Sequence, residues 1–248
     1  MSTTTLVIQS CSPAQRQGWI GQCLQTVEQW AATRGYDYRF IGDEIFALVP
    51  DWYLTKVGSK LPVATDYARL VLAQQALTGD YEQVIWCDAD LLVLDQQMTL
   101  DFTGTCAFGQ EVWVQERDGK LQARRNIHNA VMVFRRGCAV LPFLRHSVES
   151  LIRRVDADHI SPQMVGPKLL QALHPLADFA LLPQASALSP AVVDDLCNGG
   201  GKALDLFLQQ SSVPPQAVNL CASLLPKDKA QTLIKALQSQ ALSPPSNR

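Results

Sequence analysis

The sequence predicts an α/β fold built on a mainly parallel sheet with helices on its faces. Three stretches carry that prediction. Val84-Ile85-Trp86-Cys87 is a short apolar run that meets Asp88-Ala89-Asp90, and a second apolar run, Leu91-Leu92-Val93-Leu94, follows. The first run is too short for a helix of ordinary length and suits a buried strand. Strands that read as unbroken apolar runs belong to parallel sheets covered on both faces. The first 41 residues read strand, helix, strand, the unit from which doubly wound sheets are assembled. Ala130-Val131-Met132-Val133-Phe134 is a further buried strand, closed by Arg135-Arg136-Gly137.

In order, Leu6-Val7-Ile8-Gln9 is the first strand, and Ser10-Cys11-Ser12-Pro13 the turn after it. Ser12 and Pro13 suit the N-cap and first turn of a helix. That helix runs to about Arg34, with Trp19, Ile20, Cys23, Leu24, Val27 and Trp30 at helical spacing, and Gly35 ends it. Tyr36 to Ile41 alternates as a second strand. No Gly-x-Gly-x-x-Gly follows the first strand, so a dinucleotide fingerprint is absent. Residues 42–60 read as irregular; their aromatics Phe46, Trp52 and Tyr53 mark either a packed loop or a flap over a pocket.

A helix is predicted over residues 61–77, with Pro62 in its first turn and Gly79 at its end. Tyr67, Leu70, Val71, Gln74 and Leu77 trace its inner stripe. After Asp95 comes a loop, then short strands at 106–109 and 112–115 and a hairpin turn at 116–120. Arg124, Arg125 and His128 form a basic cluster of surface type. Residues 141–155 make an amphipathic helix, 159–167 a polar turn, 165–173 a short helix and 181–183 a last strand. Beyond Ser189 the rhythm fades; Asn198-Gly199-Gly200-Gly201 reads as a flexible loop, and helical segments sit near 203–209 and 227–239.

Composition narrows the function. A chain of 248 residues with 47% hydrophobic residues fills a sizeable core. A net charge of -2 and no long basic run argue against a nucleic-acid partner held through phosphate charge. Seven cysteines without regular spacing are not a disulfide framework, so a reducing, cytoplasmic setting is expected. No signal peptide and no transmembrane segment is expected, while peripheral membrane contact stays open.

Asp88 and Asp90 fall where an α/β sheet gathers its ligands, beyond the carboxyl end of a strand. Two like charges this close repel unless a cation lies between them. Mg2+ and its relatives meet that need, taking carboxylate oxygen and completing their shell with water and phosphate. The plainer alternative is that the two acids form a turn. Asp66 and Arg69 share a helix face at a spacing of three; an isolated pair of this kind is normally solvated and worth little. The helix also feeds directly into the Asp88 strand, so its first turn can reach the same end of the sheet, and Arg69→Ala is expected to cost little stability. Asn129, opening its strand, is either a turn former or a hydrogen-bond partner for a sugar hydroxyl.

Ala64-Thr65-Asp66-Tyr67-Ala68-Arg69-Leu70, the Asp88-Ala89-Asp90 strand, and Asn129-Ala130-Val131-Met132-Val133-Phe134 together resemble the GT-A glycosyltransferases with a DXD sugar-binding region. The pattern is similar to bacterial polysaccharide and lipo-oligosaccharide glycosyltransferases and, more distantly, to the glucosylating clostridial toxins. The resemblance covers roughly residues 5–185. It implies a GT-A, Rossmann-like sheet flanked by helices in residues 1–188, a helical C-terminal appendage in 189–242 and a disordered tail in 243–248.

The resemblance also implies roles. Asp88 and Asp90 would hold Mn2+ or Mg2+ against the diphosphate of a nucleotide sugar, UDP-linked by preference. Asp66 and Arg69 would contact the donor sugar and phosphate, and Asn129 the sugar pocket. Gln9 and Ser10 match the side that takes the base, and Gln163 lines the site. The acceptor would be a saccharide or glycolipid. Many relatives supply a further metal ligand, often His or Asn, from the C-terminal end; here the last histidine is His174, and the Asn198 loop is a substitute.

Two rivals share the fold-level signals. A haloacid-dehalogenase-type phosphohydrolase also opens its site with an apolar strand and Asp-x-Asp, with Lys168 and Asp194-Asp195 as its later groups. Leu92 stands where that family prefers Thr or Val, and the motif lies on a late strand. A non-catalytic nucleotide-sugar-binding protein of the same fold is the other.

Overall fold

The computed structural model describes residues 4–239 and Leu242. The tail at 243–248 lies outside the described residues. The chain runs β1 (Thr5–Ser10), α1 (Gly18–Thr33), β2 (Asp37–Ile41), α2 (Asp51–Val57), α3 (Leu61–Thr78), β3 (Gln83–Cys87) and β4 (Leu91–Val93). It continues through β5 (Cys106–Arg117), β6 (Lys120–Arg135), α4 (Val140–Arg154), α5 (Pro167–Leu173), β7 (Ala180–Leu182) and β8 (Ala185–Ala187). Then come α6 (Pro190–Cys197), α7 (Lys202–Gln210), β9 (Ala217–Asn219) and α8 (Lys227–Ser239).

Six strands form the main sheet in the order β2-β1-β3-β6-β5-β7. Only β6 runs against the rest. Strand alternation explains why the apolar runs are unbroken. Leu6 and Ile8 of β1, Val84 and Trp86 of β3, and Met132 and Phe134 of β6 face α2, α3 and α4. Val7, Ile85, Cys87, Val131 and Val133, one residue out of phase, face α1 through Val27 and Trp30. Both faces are covered, so neither set of positions tolerates a polar residue.

The structure differs from the sequence expectation at several elements. Residues 42–60 are not irregular: a 3-10 helix spans Asp43–Leu48 and α2 follows. Both are too short for helical periodicity to show. The two short strands after the loop are one strand, β5, and β6 begins at Lys120, ten residues before the apolar run. Their outer halves form a hairpin arm whose polar residues masked it. Asp118 and Gly119, at φ 53 and φ 71, make the two-residue turn that matches strand twist.

Residues 181–183 are not the last strand either. β8 and β9 follow, and with β4 they make a second, three-stranded sheet. Strands of three residues such as Ala185–Ala187 carry no readable alternation. α6 was also invisible between Pro190 and the glycine run. It packs with α7 and α8 against Val112 and Val114 of β5 and Val218 of β9.

One irregularity interrupts the main sheet. Between Phe108 and Gly109 the β5–β6 register jumps from Met132 to His128, leaving Asn129, Ala130 and Val131 without partners on β5. Such bulges bend a strand and re-aim its groups. His128, read as surface, is buried here. Its Nδ1 accepts from Ala130 N–H at 3.2 Å, which leaves the proton on Nε2, 2.9 Å from Ala185 O. The ring lies over Gly109, where a Cβ would stand 2.2 Å from its Cε1. Gly109→Ala must therefore displace the ring or the strand, at a cost of about 1–3 kcal/mol. A melting temperature several degrees lower is expected; an unchanged one would show that the ring has room to move.

Candidate active site

Asp88 and Asp90 follow the carboxyl end of β3, beside the bulge. Asp88 N–H donates to Ala130 O at 2.8 Å, which carries the β3–β6 ladder one residue past Cys87 and anchors the turn. Asp88 Oδ1 accepts from Trp86 Nε1 at 2.7 Å and from Arg69 Nη1 at 3.1 Å. Asp90 is held from a distant part of the chain. Its Oδ1 accepts from Asn219 Nδ2 at 2.7 Å and its Oδ2 from Ala222 N–H at 2.7 Å. Burial first, then the neighbouring Asp88 charge, pushes the Asp90 carboxyl above its ordinary range.

Arg69 and Asp66 are not a solvated surface pair. Each is only 5% exposed, because the first turns of α3 lie under the sheet's end. Arg69 Nη2 pairs with Asp66, and Nη1 also reaches the Asn129 carbonyl at 2.8 Å. That carbonyl is available because the bulge takes Asn129 out of the β5 ladder. Asn129 Nδ2 donates to Asp66 Oδ1 at 2.9 Å, closing a ring of three residues to which Asp88 is joined through Arg69. Gly166 covers it so closely that a Cβ there would stand 2.4 Å from Asn129 Nδ2.

Two lobes of a cleft meet at Pro62, Arg69, Asp88 and Asp90. One, of about 570 Å³, runs between the Ser10–Ser12 turn, Asp43, Ile45 and Phe46. The other, of about 860 Å³, runs between the β5–β6 hairpin, Ser161 to Gln163, and the segment after β9. Asp66 and Asn129 border the second lobe, with exposed Gln163 on its rim. Ser10 borders the first. Gln9 does not: it is fully buried, accepting from the Tyr38 hydroxyl at 3.1 Å and donating to Asp88 O at 3.0 Å. Of the aromatics in 42–60, Phe46 lines the cleft, whereas Tyr53 is core and Trp52 packs beneath Arg153.

The C-terminal groups fall differently from expectation. His174 packs against Phe179, and Asn198 is exposed behind α6; neither borders either lobe. Asn219 takes the place beside Asp90. Its only trace in the sequence is one amide inside a short apolar run. The dehalogenase alternative also fails on geometry. Asp195 caps α7 through Ala203 and Leu204 N–H, and Asp194 pairs with Lys229, so neither faces Asp88.

Among the described residues no three His, Cys, Asp or Glu converge as a metal cage. The donor chemistry still fits a hard cation. Asp88 Oδ2 has no protein partner among them, and each engaged carboxylate oxygen keeps a second lone pair. Mg2+ and Mn2+ need only one or two carboxylates when water and substrate phosphates supply the rest.

The six-stranded mixed sheet flanked by helices, with its single reversed strand, is consistent with the GT-A fold. Among solved structures the chain is similar to a glycosyltransferase involved in the glycosylation of the major capsid of PBCV-1, with a TM-score of 0.54 and 14% identity over 94% of this chain and 98% of that one. It is also similar to the apo bifunctional enzyme WbbM, at 14% identity over 95% of this chain and 50% of that one, with a TM-score of 0.48. An active-site mutant of LgtC gives 14% identity over 95% and 96%, with a TM-score of 0.45. The fold assignment rests on the first. No protein-family model matches the chain, and no curated protein does.

The buried ring makes a correction to the expected behaviour of Arg69. Removing the guanidinium strands buried carboxylates, which costs about 3–5 kcal/mol. Arg69→Ala is expected to lower the melting temperature by roughly 10 °C, measured by circular dichroism. A loss of only a degree or two would restore the solvated-pair reading.

Proposed function

We propose that the chain is a metal-dependent glycosyltransferase that moves a sugar from a nucleotide sugar, UDP-linked, to a saccharide or glycolipid acceptor. The observation that carries this is the meeting of two cleft lobes at Asp88, Asp90 and Arg69. A donor laid across that point has its base in one lobe, its diphosphate at the acids and its sugar in the other. In the first lobe Ile45 and Phe46 offer apolar surface to a base. Asp43 can accept an imide N–H, which uracil carries and cytosine lacks.

The roles follow from position. Asp88 and Asp90 would hold Mn2+ or Mg2+, which neutralises charge on a departing diphosphate. Arg69, locked by Asp66 and Asn129, keeps a fixed positive charge beside that place and costs no reorganisation during reaction. Asp66 and Asn129 line the floor of the sugar lobe and set Arg69. Gln9 positions the acidic turn through the Asp88 carbonyl. Gln163 stands at the acceptor rim and Ser10 at the base lobe. We assign the donor chemistry to residues 1–188, with the appendage of 189–242 supplying Asn219. No helix among the described residues is long and apolar enough to cross a membrane; a cytoplasmic location and peripheral contact with a lipid-borne acceptor accord with that reading.

The test is UDP release from a panel of UDP-sugars with Mn2+. Asp88→Asn and Asp90→Asn each remove a charge while keeping shape, and release should fall by roughly 100-fold in both. Full activity in either variant would sink the assignment. Tight binding of UDP with Mn2+ by calorimetry, without turnover of any donor, would identify a binding protein instead.

A further inference from the structure

The hairpin arm of β5 and β6 has two unlike faces. Val112 and Val114 bury one face against α6 and α7. Glu111 and Trp113, one residue out of phase, turn the other face to the second lobe of the cleft. Glu111 stands opposite Asn126 in the ladder, and Asn126 Nδ2 donates to Glu111 Oε1 at 3.0 Å. The carboxylate is thus held in place, and among the described residues its other oxygen has no protein donor.

Trp113 is uncommitted in the same sense. Trp30 donates its indole N–H to Met98 O and Trp86 to Asp88, while Trp52 lies under Arg153. Trp113 is half-buried, sits in none of the apolar clusters, and makes no hydrogen bond or ring contact among the described residues. A large aromatic face left open beside a fixed carboxylate–amide pair suits a ligand with one apolar face and a rim of hydroxyls. Across the lobe, Gln171 Oε1 accepts from Ile127 N–H at 3.2 Å, which leaves its amide N–H groups for a ligand oxygen.

Charge selects among such ligands. Glu111, Asp66, Asp88 and Asp90 border the same lobe; against these four acids stand Arg69, locked in the buried ring, Lys168, 3.4 Å from the Ser161 hydroxyl, and Arg124, opposite Trp113 in the ladder. A phosphorylated or uronic sugar would meet net repulsion there.

We propose that Trp113, Glu111 and Asn126 form an acceptor subsite for a neutral sugar ring, its C–H face on the indole and its hydroxyls on Glu111. This deepens the glycosyltransferase reading and rests on it. A free saccharide and a glycolipid headgroup share the chemistry.

The full chain, saturated with UDP and Mg2+, is titrated by calorimetry with neutral methyl glycosides of glucose, galactose, mannose and xylose, and with glucuronic acid and glucose 6-phosphate. Dodecyl maltoside against methyl maltoside separates the two sources. At least one neutral glycoside should bind, and the acidic sugars should not. Trp113→Ala should weaken that glycoside at least tenfold, Trp113→Phe should restore most of the affinity, and Glu111→Gln should weaken it several-fold. UDP affinity and melting temperature should hold in all three variants. Tighter binding of the dodecyl form would point to a glycolipid headgroup and equal binding to a free saccharide, and either supports the subsite. Equal glycoside affinity in Trp113→Ala, preference for an acidic sugar, or no glycoside binding to chain that does bind UDP would overturn the subsite alone. Failure of the wild-type chain to bind UDP would overturn the donor reading, and the subsite with it.

Discussion

A guanidinium buried among carboxylates organises this molecule. Arg69 is shut away from water, so burial works against its charge while the Asp88 and Asp90 carboxylates favour it. The bond from Asn129 Nδ2 to Asp66 fixes the start of α3 against β6. The bonds to Asp88 and to the Asn129 carbonyl fix the end of β3 against β6. An ion cluster of this kind adds little net stability compared with an apolar core, since desolvation offsets most of the attraction. What it supplies is placement. Asp88 cannot turn away from the cleft without leaving Arg69 short of a counter-charge.

The bulge in β6 makes that placement possible. In a regular ladder the Asn129 carbonyl would be bonded to β5. Three residues leave the β5 ladder instead, and the Asn129 carbonyl turns to Arg69, while the Ala130 carbonyl carries the β3 ladder on to Asp88 N–H. Gly109 and Gly166 serve the same region from outside, since each leaves room for a side chain that a methyl would strike. Two glycines at ordinary φ values are thus tied to the site by close approach rather than by backbone freedom.

Much of this was legible from residue order alone. The buried strands showed themselves because both sheet faces are covered, and α3 showed itself through Pro62, Gly79 and its length. Of the five residues the sequence singles out, Asp66, Arg69, Asp88 and Asn129 lie within one hydrogen-bonded network, and Asp90 borders the same cleft on donors of its own. The burial of that network was not legible, because spacing along a helix is the same for a solvated pair as for a buried one. Asn219, Glu111 and Trp113 were missed for a different reason. They lie on three-residue strands or on a polar hairpin, where neither period nor motif marks them. Gln9 was legible as a strand-end residue near the acids, yet it acts through the Asp88 carbonyl from within the core.

The clasp on Asp90 has a consequence for how the cleft comes into being. Asn219 and Ala222 reach back across 129 and 132 residues to hold that one carboxylate. Domains emerge from the ribosome N-terminal end first. The β1 to β6 region can therefore collapse around its apolar faces well before Asp90 meets its donors. Until the chain beyond Ala222 has been made, Asp90 lacks both of these donors, and the acidic turn of the cleft is completed only when that late segment packs against it.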